Sequence, residues 1–383
     1  MQARDKIASA IISSNVVIVG AGPAGLATAI RLGQLGVRRV VIVDRQNFPR
    51  DKTCASGISP AGIEVLKELG AYNAVAARSH LIDSVKLALA HERKIRFASQ
   101  VPQMLVCTRR VLDHLLLDRA LEVGSTFVPN FPVNYLLQRG DRVCGVRSVE
   151  GSEIHARQTV VADGVHSKFP PERAGRRLIQ TIMGWWETVP GRHGELEFVY
   201  DRSLRPFYGW RFPESPTVVN IGIGYDNGGS HLNARELFSG FLERHYKDFI
   251  ATARQIGTWK GQPFSPSFKT TSLTSPGRIV VGEAARIVHP ASGEGIYQAL
   301  HSGKLAAEAL HEIFAFGASP SAAFKKYEST CRKVFDRRLR VGRFIQAFIR
   351  HGGVEAVSRV LPKNVDLQWN EKVPSEVPEM ASK

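Results

Sequence analysis

A glycine-rich turn between a buried strand and a helix is the feature that most constrains this chain. Val16 to Val19 form a β-branched run that predicts a strand, and residues 24–35 have the composition and spacing of a helix. A second apolar run, Val40 to Val43, follows and ends at Asp44. Strand, helix and strand in this order predict a βαβ unit whose strands lie in a parallel sheet covered on both faces.

The turn has the GxGxxG pattern, with Gly20, Gly22 and Gly25 at its three glycine positions. The first glycine permits a tight bend, the second lets backbone amides approach a pyrophosphate, and the third allows close packing of the helix. The positive end of the helix stabilises the anion, and Asp44 can accept a hydrogen bond from a ribose hydroxyl. We therefore predict a dinucleotide site, in which an acidic Asp44 disfavours a ribose with a 2′-phosphate.

Composition places the chain among ordinary globular proteins. Its 383 residues are 43% hydrophobic and 22% charged, which is enough to bury a full core and excludes a disordered chain. The four cysteines (Cys54, Cys107, Cys144 and Cys331) are far apart and form no CxxC pair, so we predict neither a metal site nor a disulfide framework. The first residues lack a secretory pattern and no segment is long and apolar enough to cross a membrane, so we expect a cytoplasmic protein.

The remaining pattern predicts an α/β fold with a discontinuous Rossmann-like domain. Helices are predicted at 60–69, 110–123 and 295–314, and extended segments at 85–97, 143–149, 159–162, 180–225 and 278–282. We predict that residues 1–170 form the first part of the nucleotide-binding domain, with a small extended insertion near 80–105, and that residues 171–275 form an antiparallel-sheet substrate domain. Residues 276–320 return to the nucleotide-binding domain, and residues 321–383 form a basic helical C-terminal region with a loose tail.

Several segments resemble one family. Residues 282–307 are similar to the second flavin-binding motif of FAD-dependent oxidoreductases with the p-hydroxybenzoate hydroxylase fold, and within them to the geranylgeranyl reductase family. Glu283 stands where that family has an aspartate, and Ala55 where it has a glycine. Further similar stretches lie at 48–60, 109–113, 161–167 and 206–224, so the resemblance covers roughly residues 14–350.

The resemblance implies FAD as the cofactor and points to specific residues for it. The predicted FAD-binding residues are Gly20, Gly22, Pro23, Ala24, Gly25, Asp44, Arg45, Arg109, Asp163, Gly164, Gly282, Glu283, Gly293, Gly295 and Ile296. In addition, the positive end of the helix that opens at Gly295 could face the electron-rich part of a reduced flavin.

Four residues are candidates for the catalytic site. Tyr208 and Trp210 present large rigid faces that suit a pocket for a long apolar or aromatic substrate, although the same pair could be ordinary sheet core. Cys54 is either a thiol beside the flavin, as its family position implies, or a small buried hydrophobe. His289 could donate a proton, since imidazole titrates near neutral pH, or could be a satisfied loop residue.

The resemblance implies an oxidoreductase that reduces carbon–carbon double bonds of an isoprenoid or other hydrophobic substrate. A flavin-dependent monooxygenase of an aromatic or polyketide-like substrate is the alternative, because one fold can carry several reactions. A flavin-bearing binding or maturation factor is a third reading. We see no second dinucleotide fold in the sequence, so NAD(P)H or an electron-donor protein would bind transiently.

The chain is basic, with 51 Lys and Arg against 35 Asp and Glu, and the excess is concentrated near its end. Between Lys325 and Arg350, cationic residues alternate with Phe324, Tyr327 and Phe335 at helical spacing, which predicts an amphipathic helix. Its cationic face is either the solvated side of a docked helix or a surface for peripheral contact with an anionic membrane or lipid. No nucleic-acid-binding module accompanies the charge, so we expect no nucleic-acid partner.

Overall fold

A computed structural model describes residues 12–171, 178–190, 194–226, 233–266 and 272–368. Its helices are α1 (Pro23–Gln34), α2 (Pro60–Glu68), α3 (Tyr72–Ala76), α4 (Arg109–Glu122), α5 (Ala234–Thr252), α6 (Ile296–Phe316), α7 (Pro320–Arg350) and α8 (Gly353–Val360). Its strands are β1 (Ile12–Val19), β2 (Val40–Val43), β3 (Gly57–Ile58), β4 (His80–Ile82), β5 (Ser84–Ala88), β6 (Lys94–Ala98), β7 (Met104–Val106), β8 (Thr126–Val128), β9 (Val133–Arg139), β10 (Arg142–Ser148), β11 (Glu153–Val161), β12 (Gln180–Glu187), β13 (Glu195–Val199), β14 (Gly209–Pro213), β15 (Val218–Tyr225), β16 (Arg254–Gly261), β17 (Thr274–Ser275), β18 (Arg278–Val280) and β19 (Asn364–Gln368).

The first sheet confirms the predicted Rossmann-like core. Its order is β17-β18-β11-β1-β2-β8, and β1 pairs in parallel with both β2 and β11. β18, from the return segment, pairs in parallel with β11, so the end of the chain completes a sheet that its beginning started. Val16, Val17 and Ile18 are fully buried, as expected of a parallel strand covered on both faces.

A second sheet contains the strands of the segment that was predicted to be antiparallel. Its order is β16-β12-β15-β14-β13-β5-β6-β19, and the neighbours from β12 to β15 are antiparallel. The extended insertion near 80–105 contributes β5 and β6 to this sheet, whereas β4 and β7 at its two ends pair with β3 in a third sheet of order β3-β7-β4. None of these strands belongs to the first sheet. Helix α5 packs against β12, and the sequence pattern did not predict that helix.

Helices α1 and α6 pack face to face beside the first sheet, and α7 packs on α6. Gly303 of α6 sits directly against the backbone of α1, where a Cβ atom would overlap the carbonyl oxygen of Ala24. The backbone at Gly20 has φ of +103°, and a Cβ there would lie 2.5 Å from the carbonyl oxygen of Ala162. Glycine is therefore required at both positions, one for close helix packing and one for the turn.

The long basic helix is present as α7, and its buried side chains include Phe324, Tyr327 and Phe335, as the helical spacing predicted. Tyr327 donates a hydrogen bond to the carbonyl oxygen of Val280, 2.9 Å away, which ties α7 to the first sheet. No helix in the described ranges is long and apolar enough to span a bilayer. The predicted loose tail, residues 370–383, lies outside the described residues.

We expect Gly303→Ala to lower the free energy of unfolding by about 3 kcal/mol, because the new methyl group overlaps the α1 backbone and neither helix can move without loss of core packing. Gly240→Ala in α5 is a matched control, since its added methyl group meets only the flexible end of Arg244. Urea denaturation followed by circular dichroism measures both variants. Equal stability of the two would contradict this account of the α1–α6 contact.

Candidate functional site

Two adjoining cavities lie where the glycine turn, the return segment and the second sheet meet. The glycine-turn cavity, about 390 Å³, is lined by Gly20, Asp44, Arg45, Asp163 and His166 among others. The aromatic cavity, about 400 Å³, is lined by Met183, Phe198, Tyr208, Trp210, Phe212 and Phe264 among others. Gly22, Lys52, Thr53, Ala162, Gly164 and Gln262 line both, so the two spaces share a wall.

The glycine turn is held in place by the carboxylate of Asp44. One oxygen of Asp44 accepts a hydrogen bond from the backbone N–H of Ala21, at 2.8 Å, and the other accepts from the N–H of Gln46, at 2.9 Å. Gly22 caps the N-terminus of α1, so the positive end of this helix is directed at the wall that the two cavities share. Asp44 thus shapes the turn and also lines the glycine-turn cavity.

Buried cations surround the shared wall. Arg109 makes a two-point ion pair with Asp113, with N–O distances of 2.7 and 2.6 Å, and Arg50 lies 3.1 Å from the same carboxylate. Burial lowers the pKa of Lys52, and the positive charge of Arg109 lowers it further. Arg50 also lies 3.9 Å from a carboxylate oxygen of Asp44, so Asp113 and Asp44 hold these guanidinium groups beside the shared wall, where they can reach an anionic ligand.

The return segment forms the opposite wall. Its short 3-10 turn, Gly282–Ala285, is fixed by a hydrogen bond of 2.9 Å from the N–H of Gly282 to the hydroxyl of Ser302. Glu283 lines the aromatic cavity, and its carboxylate accepts from the N–H of Ser265 at 3.2 Å. Gly293, Gly295 and Ile296 bring the N-terminus of α6 to the same cavity.

The aromatic pair is held rigidly. The indole N–H of Trp210 donates to the side-chain oxygen of Asn220 at 2.7 Å, and Asn220 donates onward to the carbonyl of Gly184 at 3.3 Å. Tyr208 donates its hydroxyl proton to the carbonyl oxygen of Ser292, and burial raises the pKa of Tyr208. Trp210 is only 5% exposed and also lines the cavity, so it is packed in the sheet and borders the cavity at once, and its role toward a substrate stays a prediction.

Cys54 lines the aromatic cavity next to Ala55. Its thiol sulfur accepts a hydrogen bond from the N–H of Ser56 at 3.3 Å, and the residue is half-buried. The thiol therefore has a fixed position facing a space large enough for a ligand.

His289 does not line either cavity. Its Nδ1 accepts from the N–H of Ser292 at 3.1 Å, and the opposite edge of the ring packs on Gly342 of α7. Burial lowers the pKa of His289, which favours the neutral ring. In the structure, the His289 ring holds its own loop through Ser292 and contacts α7, and a role for it in proton donation stays a prediction.

Most of the predicted FAD-binding residues line the two cavities. The exceptions are Gly25 and Gly282, which face neither cavity: a Cβ atom on Gly25 would overlap the carbonyl oxygen of Gly20, and one on Gly282 would lie 2.6 Å from the Cβ of Ala24. They allow close packing behind the site. The remaining thirteen line one or both cavities: Gly20, Gly22, Pro23, Ala24, Asp44, Arg45, Arg109, Asp163, Gly164, Glu283, Gly293, Gly295 and Ile296.

Sequence reasoning missed several lining residues. Lys52 lies within the stretch at 48–60 that resembles the family, and its position between Arg50 and Cys54 was the available signal. Gln262 and Phe264 follow β16 in an irregular segment without a pattern, so nothing in the sequence indicated them.

Comparison with known proteins agrees with this geometry. A family model described as an FAD binding domain matches residues 13–189. The chain is 29% identical to a menaquinone reductase of Mycobacterium tuberculosis over 78% of this chain and 76% of that one. It is 26% identical to a digeranylgeranylglycerophospholipid reductase of Methanosphaerula palustris over 88% of this chain and 86% of that one.

The fold is also found among solved structures. A geranylgeranyl bacteriochlorophyll reductase-like protein from Thermoplasma acidophilum superposes with a TM-score of 0.83 and 20% identity, covering 91% of each chain. This likeness confirms the expected fold.

The residues present fit FAD. A dinucleotide can extend from the glycine-turn cavity into the aromatic cavity along the lining residues that the two cavities share. Its diphosphate would then lie at the N-terminus of α1 and near Arg109. One carboxylate oxygen of Asp163 is buried in the glycine-turn cavity with no hydrogen-bond partner in the described part of the chain, as expected of an acceptor that meets a ligand.

We expect Gly22→Val to weaken FAD binding at least about tenfold without unfolding the protein, since each 1.4 kcal/mol of lost contact is a factor of ten. The backbone at Gly22 is extended, and an added Cβ would lie 3.6 Å from Arg109, so the new side chain enters the shared space without a clash. The flavin content of purified protein and titration of apoprotein with FAD measure the effect. Gly240→Ala is again the control, and unchanged affinity in Gly22→Val would place the cofactor elsewhere.

Proposed function

We propose that the chain is a member of the geranylgeranyl reductase family of FAD-dependent oxidoreductases and that it saturates carbon–carbon double bonds in the isoprenoid chain of a membrane lipid or quinone. The main support for the proposal is the aromatic cavity, which adjoins the candidate FAD-binding residues and is lined mainly by apolar side chains. Relatives named as menaquinone and digeranylgeranylglycerophospholipid reductases support the same substrate class.

The charge of the aromatic cavity supports a substrate whose reacting part is neutral. Its two cationic lining residues among those described, Lys52 and Arg109, lie at the shared wall beside Gly164 and Gly22 respectively. The side chains at the other end are those of Met104, Met183, Phe198, Trp210, Phe212 and Phe264. An isoprenoid chain would bury its apolar surface here, and a diphosphate group would not find a partner beside these side chains.

FAD, once bound and reduced, supplies a hydride for one carbon of the double bond. The chain's own residues bind and orient the substrate. Trp210, fixed by Asn220, and Tyr208, fixed by the carbonyl of Ser292, present rigid faces to an isoprenoid unit and exclude water.

The second carbon of the double bond needs a proton. Tyr208 is a poor source, because its hydroxyl proton is already donated to Ser292 and burial raises its pKa. Cys54 lines the same cavity, and a thiol S–H is a hydrogen donor. We therefore assign proton delivery to Cys54 and substrate positioning to Tyr208.

The electrons come from outside the chain in this proposal. The described residues contain one βαβ unit with a glycine turn, and in this proposal FAD would bind there. NAD(P)H binding transiently, or an electron-donor protein, would re-reduce the flavin after each turnover.

The substrate proposal is tested by anaerobic incubation of dithionite-reduced holoprotein with a prenylated naphthoquinone in its quinol form, a digeranylgeranylglycerol phospholipid and geranylgeranyl diphosphate, each dispersed in detergent. We expect mass spectrometry to show two added hydrogens per reduced double bond for the first or second lipid, and less product from the free diphosphate. Unchanged lipids, together with hydroxylation of an aromatic compound after air is admitted, would replace this proposal with the monooxygenase reading.

We expect Cys54→Ala to lower kcat by about 10²-fold, the usual contribution of a positioned acid, while FAD content stays unchanged. Tyr208→Phe keeps the ring and loses only the bond to Ser292, so its main effect should be on KM. Steady-state kinetics with the reducible lipid separate the two variants. A normal kcat in Cys54→Ala would show that the proton comes from another group or from water.

A further inference from the structure

The end of α7 exposes an apolar stripe that the core does not use. Val341, Phe344, Ile345 and Phe348 are all exposed, and Phe344 is exposed to 74%. Their spacing places them on one face of the helix, because residues three, four and seven apart lie close together on a helix surface. Single exposed apolar residues are common, but four on one helical face are a patch that calls for a partner.

Helix α8 continues this stripe. Phe348 packs against Gly353, the first residue of α8, and the exposed Val357 and Val360 follow Gly353 by one and two helical turns. We call these six side chains the α7–α8 face: Val341, Phe344, Ile345, Phe348, Val357 and Val360. The face is thus built from two helices joined by a short turn at His351 and Gly352.

The charge around the α7–α8 face is mainly positive, and the one acidic residue within 337–360, Glu355 of α8, pairs with Arg205. Residues 337–354 contain the arginines Arg337, Arg338, Arg340, Arg343 and Arg350 and no aspartate or glutamate. Arg350 pairs with Asp226 at 3.3 Å, and Arg338 lies over the ring of Tyr297. Apolar side chains flanked by arginines match an anionic bilayer, since arginine can reach the headgroups while the apolar groups enter the interface.

The opposite side of α7 touches the wall of the aromatic cavity. Gly342 packs on His289 and Pro290, and Gln346 donates a hydrogen bond of 3.0 Å to the carbonyl oxygen of Pro290. The same loop continues to Ser292 and Gly293, which line the aromatic cavity. The α7–α8 face therefore lies one helix thickness from the site.

We propose that the α7–α8 face docks on the surface of an anionic lipid bilayer, with Phe344 inserted at the interface and the arginines at the headgroups. A second copy of the chain fits the face less well, because a two-fold contact would bring two such sets of arginines together. The proposal stands on this surface alone and does not depend on the reaction proposed above.

Flotation of the full-length holoprotein with vesicles tests the proposal. We expect binding to vesicles of 30% phosphatidylglycerol in phosphatidylcholine, several-fold weaker binding to pure phosphatidylcholine, and loss of binding as salt is raised. Phe344→Ser should lower partitioning about tenfold. Phe316→Ser is the matched control, because Phe316 is equally exposed, at 76%, but lies at the end of α6.

A charge variant tests the electrostatic part separately. Arg340→Glu with Arg343→Glu should abolish the preference for anionic vesicles, whereas Lys325→Glu, an exposed cation in the first half of α7, should not. Flavin content and turnover of a detergent-dispersed lipid should stay normal in Phe344→Ser, so a failure of docking is distinguished from a failure of the reaction.

Two results would overturn the proposal. One is equal vesicle binding by Phe344→Ser and Phe316→Ser. The other is a wild-type protein that ignores vesicles and forms a dimer by light scattering, with Phe344→Ser monomeric, which would make the face an interface between copies.

Discussion

The site depends on the close contact between helix α1, near the start of the chain, and the return segment that arrives more than 250 residues later. Ala24 is at the centre of this contact: its backbone meets Gly303 and its side chain meets Gly282. Because both partners are glycines, α1 and α6 approach closely enough for their N-termini to open on adjoining cavities. Two helix N-termini then supply positive potential to the adjoining cavities, which suits an anionic dinucleotide whose flavin becomes electron-rich on reduction.

Side-chain charge reinforces this arrangement. Asp113 is fully buried and holds Arg109 and Arg50 near the turn, while Asp44 uses its carboxylate to fix the turn itself. Buried ion pairs of this kind contribute little net stability, but they fix the positions of charged groups at a site. The opposite end of the aromatic cavity is lined mainly by apolar side chains. The end with buried cations therefore suits the diphosphate of FAD, and the apolar end suits an isoprenoid chain.

The parts of the fold that follow from local pattern were predictable. The βαβ unit, α2, α4, α6 and the strands β10, β11 and β18 depend on periodicity, β-branched runs and glycine turns that are visible in the sequence. Helix α5 was missed: it lies inside the predicted antiparallel-sheet domain, 171–275, but after the extended segment predicted at 180–225. The pairing of β5 with β13 joins residues more than 100 positions apart, and no local signal encodes such a register.

The candidate site residues also divide into those that a local motif predicts and those whose orientation depends on distant contacts. Gly20, Gly22 and Asp44 belong to a turn whose geometry the motif specifies, and the structure places them on the cavity wall. His289 has a residue type suited to catalysis, but its orientation depends on Gly342 in a distant helix, and that contact turns the ring toward α7. Residue type therefore predicted possible chemistry, and tertiary packing determined which side chains reach the cavity.

The central claim is that reduced FAD in this site transfers its electrons to an isoprenoid double bond held in the aromatic cavity. An anaerobic single-turnover experiment tests it most directly: holoprotein reduced with one equivalent of dithionite is mixed with excess prenylated quinone in its quinol form, and the return of oxidised-flavin absorbance is followed. Our account predicts reoxidation without oxygen and one saturated double bond per FAD reoxidised. A flavin that stays reduced until air is admitted would contradict it.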